Sequence, residues 1–359
     1  MRGVGTVTSF RLVNSSVAAD RSLWLNAWAS WEEREVAAHP TYCELFCRPD
    51  DQAMCCLMED DEGTVLFPFI LRPLSAEPWA TEYGHARDII TPYGYGGPFA
   101  WGDPDWRLFW HEFNEWARDS DIVSLFARLS LFRDQLIPFD GCVETRAQNI
   151  VRTLDMPIDK LWMDYRHKVR KNVSKACRSG LEVEVDYDGA RLDDFLDVYY
   201  ETMQRHNAGE FYYFGHEFFD TLVRDLDGNF AFFHATQNQH VVSTELVLLS
   251  TSHIYSFLGG TKVEAFDMRA NDLLKHSIVE WGVQRGKKAY VLGGGYECED
   301  GIFKYKVSFA PDGQVPFRVG SRIYDPSVYM SLVGERKRWE SEHGVQWNPS
   351  RRFFPEYRG

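Results

Sequence analysis

An apolar strand that ends in glycines, followed by a lysine among aromatic side chains, is the segment best suited to chemistry. The stretch Tyr290-Val-Leu292 leads into Gly293-Gly-Gly295, and Gly301-Ile-Phe-Lys-Tyr-Lys-Val-Ser-Phe309 follows after a short acidic loop. Glycine has no Cβ, so another backbone or a ligand can approach Gly294 closely. A cation held among aromatic rings at an open strand end suits an anion or a developing oxyanion. A flexible turn with lysines on a solvated face is the alternative.

Two kinds of secondary structure fit residues 301–309. The aromatic and basic residues alternate with the period of a strand, whereas Ile302, Tyr305 and Phe309 fall on one face of a helix. The two types of side chain are interleaved under either period, so the site prediction does not depend on this choice.

A basic helix is predicted over residues 163–179, with Gly180 at its end. Residues 166–178 contain six Lys or Arg and no acid. An apolar stripe and a basic stripe lie on opposite sides of this helix: Val169, Val173 and Ala176 against Lys168, Lys171, Lys175 and Arg178. A basic face without compensating acids favours phosphate binding, with simple solvation as the alternative. Arg170 and Asn172 lie off both stripes and could reach inward to a substrate.

Two tyrosine pairs are candidate ligand contacts. Tyr93 and Tyr95 lie in an aromatic and glycine loop after a predicted strand, where their phenols could hydrogen-bond a ligand or pack on the turn. Tyr212 and Tyr213 lie in an aromatic cluster ahead of another predicted helix. Adjacent side chains cannot both point the same way, so one of these two phenols could line a cleft while the other packs in the core.

Composition indicates a folded protein of two domains. The 359 residues exceed one typical core, and hydrophobic residues make up 44% of the chain. No run approaches the roughly 18 uncharged apolar residues of a membrane helix, and no secretory signal follows Met1. Seven cysteines, an odd number, favour free thiols in a reducing compartment. We therefore expect a cytoplasmic protein without integral membrane association.

Neither a metal site nor a broad nucleic-acid surface is predicted. The spacing of Cys43, Cys47, Cys55 and Cys56 fits no familiar zinc motif, which favours buried thiols over metal ligands. A net charge of −14 disfavours nonspecific binding of nucleic acid over the whole surface, and we expect no DNA partner. Any nucleic-acid contact would be confined to the basic helix.

The order of predicted elements is repeated along the chain. A hairpin, a strand, a double glycine, a tryptophan-bearing helix and a further strand occur once in each half. The double glycines at 96–97 and 259–260 correspond at a repeat of about 165 residues, which suits a duplicated domain. We predict a first domain over 1–148, a second over 149–335 and a tail over 336–359 that packs back on the body. Two unrelated α+β domains are the alternative.

These segments together resemble the FemABX family of nonribosomal aminoacyl transferases, within the GNAT-like acyltransferase superfamily. The resemblance rests on segments in a defined order: residues 165–180, Phe211-Tyr-Tyr-Phe214, Gly259-Gly-Thr261, Arg269-Ala-Asn-Asp-Leu-Leu274, Leu292-Gly-Gly-Gly295 and residues 301–309. It implies an α/β fold with mixed sheets, made of two tandem GNAT-like domains with a substrate cleft between them.

Family members move an amino acid from a charged tRNA onto an amine of a peptidoglycan precursor. The resemblance implies a catalytic or donor-binding role for Lys306, with Tyr305 beside it, and places the basic helix near phosphorylated ligand. We expect direct attack by the amine, because no Ser-His-Asp order or Cys-His pairing indicates a covalent intermediate. Lys306 would stabilise the oxyanion or the donor phosphate, and the amine would lose its proton to water, to Asp103 or to the donor.

The predicted reaction needs no cofactor, since its acyl donor is a co-substrate. CoA-dependent GNAT enzymes cradle pyrophosphate with a glycine loop at a helix start, and residues 262–274 contain no glycine. This favours aminoacyl-tRNA over acyl-CoA as the donor and a small-molecule amine as the acceptor. A CoA-dependent N-acetyltransferase acting on an amino sugar or another amine, and a non-catalytic binding module of an envelope pathway, are the alternatives.

Overall fold

The computed structural model describes residues 9–295, 300–350 and 353–359, which form two compact units. Among the described residues, unit 1 comprises 9–31, 37–146, 317–350 and 353–359. Unit 2 comprises Glu32–Val36 and Ala147–Pro316. The acidic loop predicted between Gly295 and Gly301 falls on residues 296–299 and so lies outside the described residues.

Helices and strands alternate along the described chain. The first half contains β1 Ser9–Asn14, α1 Ala18–Ser30, α2 Pro40–Glu44, β2 Gln52–Glu59, β3 Gly63–Pro73, β4 Arg87–Ile90, β5 Phe99–Gly102, α3 Trp106–Asp119, β6 Ile122–Arg128 and β7 Cys142–Thr153. The second half contains α4 Ile158–Asp164, α5 His167–Arg178, β8 Glu182–Asp186, α6 Leu192–Arg205, α7 His216–Asp225, β9 Phe230–Gln237, β10 His240–Leu249, β11 His253–Thr261, α8 Ala270–Gln284, β12 Ala289–Gly293, α9 Gly301–Val307, β13 Gln314–Ile323 and α10 Pro326–Glu342.

The same strand pairings occur in both units. In unit 1, β1, β2, β3 and β4 pair as consecutive antiparallel neighbours, and β4 then pairs with β6 in parallel. In unit 2, β8, β9, β10 and β11 do the same, and β11 then pairs with β12 in parallel. A parallel pair needs a crossover, which α3 supplies in unit 1 and α8 in unit 2. The shared pairings confirm the predicted tandem α/β domains.

Each unit takes its last strand from the other half of the sequence. Strand β7 follows β6 in the chain, yet Thr153 of β7 pairs with Ala289 of β12 in unit 2. Strand β13 follows β12, yet Val319 of β13 pairs with Arg128 of β6 in unit 1. Residues 147–153 of β7 thus belong to unit 2.

Because of this exchange, the boundaries of the two units differ from the predicted domain boundaries. The second domain was expected to continue to residue 335, but unit 2 ends at Pro316. Residues 317–359 belong to unit 1, because the second part of β13 pairs with β6 and the following helix packs there. Tyr329 and Leu332 of α10 pack with Trp79 and Tyr357 in one hydrophobic cluster of unit 1.

Helical spacing places aromatic and aliphatic side chains in the core of each unit. Phe109 and Phe113 of α3 pack against Phe67 of β3 in unit 1. Leu274 and Ile278, four residues apart on α8, are buried in the core of unit 2.

Acidic residues act differently near the starts of α1 and α3. Asp20 does not cap α1, because that helix begins at Ala18 and the Asp20 carboxylate accepts a hydrogen bond from the backbone N–H of Asn14 at 3.0 Å. The start of α3 is capped by Asp105, whose carboxylate accepts from two backbone N–H groups of the first turn. Asp103 lies two residues earlier, in the loop before the helix.

A buried carboxylate joins the C-terminal residues to unit 1. Asp88 is fully buried and accepts hydrogen bonds from Arg72 Nε at 2.7 Å and Arg358 Nε at 2.9 Å. Burial alone would raise the pKa of Asp88, but the two guanidinium groups outweigh burial and hold its pKa below the ordinary value. The resulting stability is present above about pH 3.9, the pKa in the unfolded chain, and is lost as pH falls through the lower folded pKa.

We expect Arg358→Met to lower the free energy of unfolding by about 3 kcal/mol at neutral pH, because it leaves a buried charge with one partner. The folded pKa of Asp88 rises toward its unfolded value in this variant, so acidification removes less stability from the variant than from the parent. Urea titrations at several pH values measure both effects. Arg118→Met is the matched control, since Arg118 forms a surface pair and its loss changes stability by less than about 1 kcal/mol. Equal acid profiles for the Arg358 variant and the parent would contradict the assignment.

Candidate functional site

The parallel strands β11 and β12 part where β12 approaches its end. They pair only from His253–Ala289 to Tyr255–Val291. Beyond that point β12 runs to Gly293, while β11 continues to Thr261 beside β10. The polypeptide then enters α9, which Asp300 caps by accepting a hydrogen bond from Phe303 N at 2.7 Å. Residues 301–307 are therefore helical, which decides between the two periods that the sequence allowed.

Lys306 reaches back from α9 to the strand end. Its Nζ donates a hydrogen bond to the carbonyl oxygen of Gly294 at 2.6 Å. Burial, reinforced by the positive charge of Lys275, lowers the pKa of Lys306 to about 8, while Glu245 and Asp300 act in the opposite direction. This amine can therefore gain or lose a proton near neutral pH, as an acid or a base in catalysis requires.

The glycines make this approach sterically feasible. A Cβ on Gly294 would lie 2.6 Å from Asn149 Oδ1, and a Cβ on Gly295 would lie 2.5 Å from Asp300 Oδ1. Gly293 has φ of 81°, a left-handed value that favours glycine. The close backbone approach predicted at Gly294 is thus made by Asn149 and Lys306 of this chain, and contact with substrate stays a prediction.

A buried polar network next to Lys306 was missed by sequence reasoning. Lys275 Nζ donates to Glu245 Oε1 at 2.6 Å, to Ser256 Oγ at 2.9 Å and to Tyr290 OH at 3.1 Å. The Tyr290 hydroxyl also donates to Glu245 Oε1. The sequence contains a signal for this network, because Glu245 is the only acid in the apolar run 241–249 and a buried acid needs partners.

Tyr305 carries a buried hydroxyl without a hydrogen-bond partner among the described residues. Burial, and then the carboxylates of Asp272 and Glu245, raise its pKa well above the ordinary value. The phenol therefore stays protonated and available as a donor. Its ring packs edge-on against Phe309, with centroids 5.3 Å apart.

Helix α5 has the predicted basic face. Its buried side is Val169, Val173 and Ala176, and its exposed cations are Lys168, Lys171, Lys175 and Arg178. Arg170 donates to the carbonyl oxygens of Met163 and Tyr165, so it joins α5 to α4. Asn172 does reach inward, and its Nδ2 donates to Asp272 Oδ1 at 3.1 Å. Substrate contact by Arg170, Asn172 and Lys175 stays a prediction.

The start of α8 carries a carboxylate. Arg269 precedes the helix in a left-handed conformation, with φ of 65°, and Asp272 lies in the first turn. Asp272 is buried, which raises its pKa despite the hydrogen bond from Asn172. The positive end of the helix dipole is thus next to an acid of the protein itself.

Tyr212 and Tyr213 follow α6, with Tyr212 in a short 3₁₀ turn over Glu210–Tyr212. The carbonyl oxygen of Tyr212 accepts a hydrogen bond from the Tyr199 hydroxyl, and the Tyr212 side chain is half-buried. Tyr213 is exposed. The two side chains therefore differ in environment, and contact of either phenol with substrate stays a prediction.

Three predicted site residues belong to unit 1. Tyr93 supplies the carbonyl oxygen that accepts from Tyr42 OH at 2.8 Å, and Tyr95 packs edge-on against Phe317 with centroids 5.7 Å apart. Asp103 is exposed in the loop between β5 and α3, and its backbone N–H donates to Glu62 O at 2.9 Å. Lys306, Tyr305 and the other predicted site residues belong to unit 2.

The described residues contain no group of three or more His, Cys, Asp or Glu side chains arranged to hold a metal ion. Cys43, Cys55 and Cys56 are buried free thiols, and burial raises the pKa of each. A search of the described helices found none with the length and apolar character needed to cross a bilayer.

We expect Tyr305→Phe and Tyr290→Phe to affect stability differently, although both remove a buried hydroxyl. Tyr305→Phe should leave the free energy of unfolding unchanged or raise it slightly, because its hydroxyl has no partner among the described residues. Tyr290→Phe should lower it by about 1–3 kcal/mol, because Glu245 and Lys275 lose a partner. Urea titration of both variants checks this, and equal losses would contradict the described hydrogen bonding.

Comparisons with known proteins agree with this architecture. Residues 163–307 match the family model of an acetyltransferase (GNAT) domain. The crystal structure of FemX superposes with a TM-score of 0.66 at 12% identity, covering 87% of this chain and 98% of that chain. A comparison with curated protein sequences gave no match.

Two further solved structures share the fold. The C-terminal domain of a putative lysylphosphatidylglycerol synthetase from Agrobacterium fabrum has a TM-score of 0.57 at 13% identity, covering 88% of this chain and 95% of that chain. A conserved protein of unknown function from Bacteroides thetaiotaomicron has a TM-score of 0.57 at 10% identity, covering 87% and 99%. The chain thus has the fold of FemX, as predicted, and its GNAT-type domain over residues 163–307 supports an N-acyltransferase.

Proposed function

We propose that this protein forms an amide by moving an aminoacyl group from aminoacyl-tRNA onto an amine of a cell-envelope precursor or a related small molecule. The observation that carries the proposal is Lys306, a partly buried amine with a lowered pKa, held by Gly294 O where β11 and β12 part. The GNAT domain match and the FemX fold support the acyltransferase class. A charged tRNA donor places the reaction in the cytoplasm.

The chemistry needs an unprotonated amine, a site for the oxyanion and a proton for the leaving oxygen. In our scheme the amine attacks the ester carbonyl directly, a C–N bond forms and the C–O bond to the ribose breaks. The Lys306 ammonium and the neutral Tyr305 hydroxyl are the donors that stabilise the oxyanion. Water, Asp103 or the donor itself takes the proton released by the amine.

The start of α8 favours tRNA over CoA as the donor. A CoA pyrophosphate binds to free backbone N–H groups at a helix start, where the helix dipole attracts anions. Here the first turn of α8 contains the buried Asp272, and residues 262–274 contain no glycine. A carboxylate at that position repels phosphate. The exposed cations of α5 provide a separate surface for the phosphates near the acceptor end of a tRNA.

A CoA-dependent N-acetyltransferase is the second candidate, favoured by the match to an acetyltransferase (GNAT) domain. The test supplies purified protein with radiolabelled aminoacyl-tRNA and radiolabelled acetyl-CoA in parallel, each with a panel of amines that includes amino sugars and peptidoglycan precursors. We expect label to move to an amine from the tRNA. Transfer from acetyl-CoA alone would replace our donor with the second candidate, and transfer from neither would favour a non-catalytic binding module.

We expect Lys306→Met to lower kcat by about 10²–10³-fold, the usual effect of removing one donor to an oxyanion. Lys304→Met is the matched control, because Lys304 lies on the same helix but is exposed, and its rate should equal that of the parent. Circular dichroism establishes that both variants fold. A folded Lys306→Met variant with parental kcat would remove this lysine from the mechanism.

We expect the double substitution Lys171→Glu with Lys175→Glu to raise KM for aminoacyl-tRNA at least about tenfold, with a weaker salt dependence, because fewer phosphate contacts remain. Lys337→Glu with Arg338→Glu makes the same change in net charge on exposed residues of α10 and should leave KM unchanged. If both pairs have the same effect, only overall charge matters and α5 is not the tRNA surface.

A further inference from the structure

Lys275 is held by acceptors from three neighbouring strands of unit 2. Glu245 lies on β10, Ser256 on β11 and Tyr290 on β12, and each accepts a hydrogen bond from Lys275 Nζ. Ser256 directly follows Tyr255, the last residue of β11 that pairs with β12. The network therefore spans the place where the two parallel strands part, and its ammonium has one acceptor for each of its three protons.

The network contains one positive and one negative charge, and both are buried. Lys275 and Glu245 are 6% and 3% exposed, so solvent cannot screen them effectively. Tyr290, also buried, donates its hydroxyl proton to the same Glu245 oxygen that accepts from Lys275. Replacing a buried ion pair with apolar side chains of similar volume is often neutral or stabilising, because burying the two charges costs desolvation energy. Stability alone is therefore a weak reason for the Lys275–Glu245 pair.

Lys306 lies within the field of this pair. The groups that act on its amine are Lys275 from α8, Glu245 from β10 and Asp300 at the start of α9. Burial is the largest influence that lowers the pKa of Lys306, and the positive charge of Lys275 is the next. Lys275 has a carboxylate partner at 2.6 Å, whereas Lys306 is held by the neutral carbonyl of Gly294. The hydrogen-bond partner of Lys306 is therefore a neutral acceptor, which does not balance a buried positive charge.

We propose that Lys275 and Glu245 are positioning residues that act through Lys306, where the anchored Lys275 ammonium makes the Lys306 amine a reversible proton donor for acyl transfer. This catalytic meaning rests on the proposed function, but the effect on Lys306 does not. In the reaction, Lys306 gives its proton to the leaving ribose oxygen as the C–O bond breaks. The neutral Lys306 amine, in place of water, Asp103 or the donor, then takes the proton that the new amide nitrogen must lose, so Lys306 returns to its starting state.

The test measures the titration of Lys306 directly, without any substrate. The purified full chain is treated with trace acetic anhydride between pH 6 and 10, and mass spectrometry quantifies acetylation of Lys306, with exposed Lys304 of the same helix as internal reference. Acetylation of the parent should have its midpoint near the pKa of about 8. In Lys275→Met a cation is lost and the Glu245 anion is left unpaired, so the pH midpoint of Lys306 acetylation should rise by about one pH unit. At a fixed pH below the midpoint, Lys306 should then react about tenfold more slowly.

Two further variants make the result decisive. Lys275→Arg keeps the charge, so its midpoint should stay close to that of the parent. Lys275→Met with Glu245→Gln removes both charges and avoids an unpaired buried ion, so it remains testable where the single variant does not fold. Its midpoint should lie above that of the parent and below that of Lys275→Met. A folded charge-removing variant with the parental midpoint, or a Lys275→Arg shift as large as that of Lys275→Met, would show that the pair is purely structural and overturn the proposal.

Transfer assays on the same variants test the catalytic step. The alkaline limb of kcat against pH should move with the acetylation midpoint, whereas a merely structural defect lowers kcat equally at all pH values. If the acetylation midpoint shifts but no variant uses any acyl donor, the effect of Lys275 and Glu245 on Lys306 stands and the proposed function fails. If transfer occurs with an unshifted midpoint, the proposed function stands and this inference fails.

Discussion

The cost of burying charge governs the interior of unit 2. An ammonium taken out of water needs a carboxylate and further acceptors, or it loses its proton. Lys275 has Glu245, Ser256 and Tyr290 around it, so its charge is balanced. Lys306 has the Gly294 carbonyl and a neighbouring cation, and its pKa is about 8. The two amines have the same chemistry, so their neighbours decide how each buried charge is compensated.

The fold fixes the elements that carry these two amines. Strands β11 and β12 pair over three residues and then separate, because β11 follows β10 while β12 ends in the glycine turn. Helix α8 forms the crossover between these strands and carries Lys275, and α9 follows β12 and carries Lys306. The parallel pair thus fixes the position of both side chains. The equivalent pair in unit 1, β4 and β6, has the same connection through α3.

Regular periodicity made much of the architecture predictable. The hairpins, the apolar faces of α3, α5 and α8 and the repeated order of elements follow from spacings of about 2 and 3.6 residues. Domain boundaries that depend on strand pairing between distant segments cannot be predicted from local spacing. Residues 317–335 were assigned to the second domain because they follow it in sequence, but β13 pairs with β6 instead. Asp20 has the residue type of a helix cap, but α1 begins two residues earlier, at Ala18.

The sequence by itself determined the kinds of elements, the duplication and the exposed basic face of α5, because each depends on residues close together in the chain. It also singled out the segment that carries Lys306. Only the tertiary structure decided that 301–307 is a helix, that Lys306 contacts Gly294, and that Lys275 meets Glu245 across 30 residues of sequence. Long-range pairing sets which charged groups become neighbours, and those neighbours and the depth of burial set their pKa values. Neither can be read from local spacing.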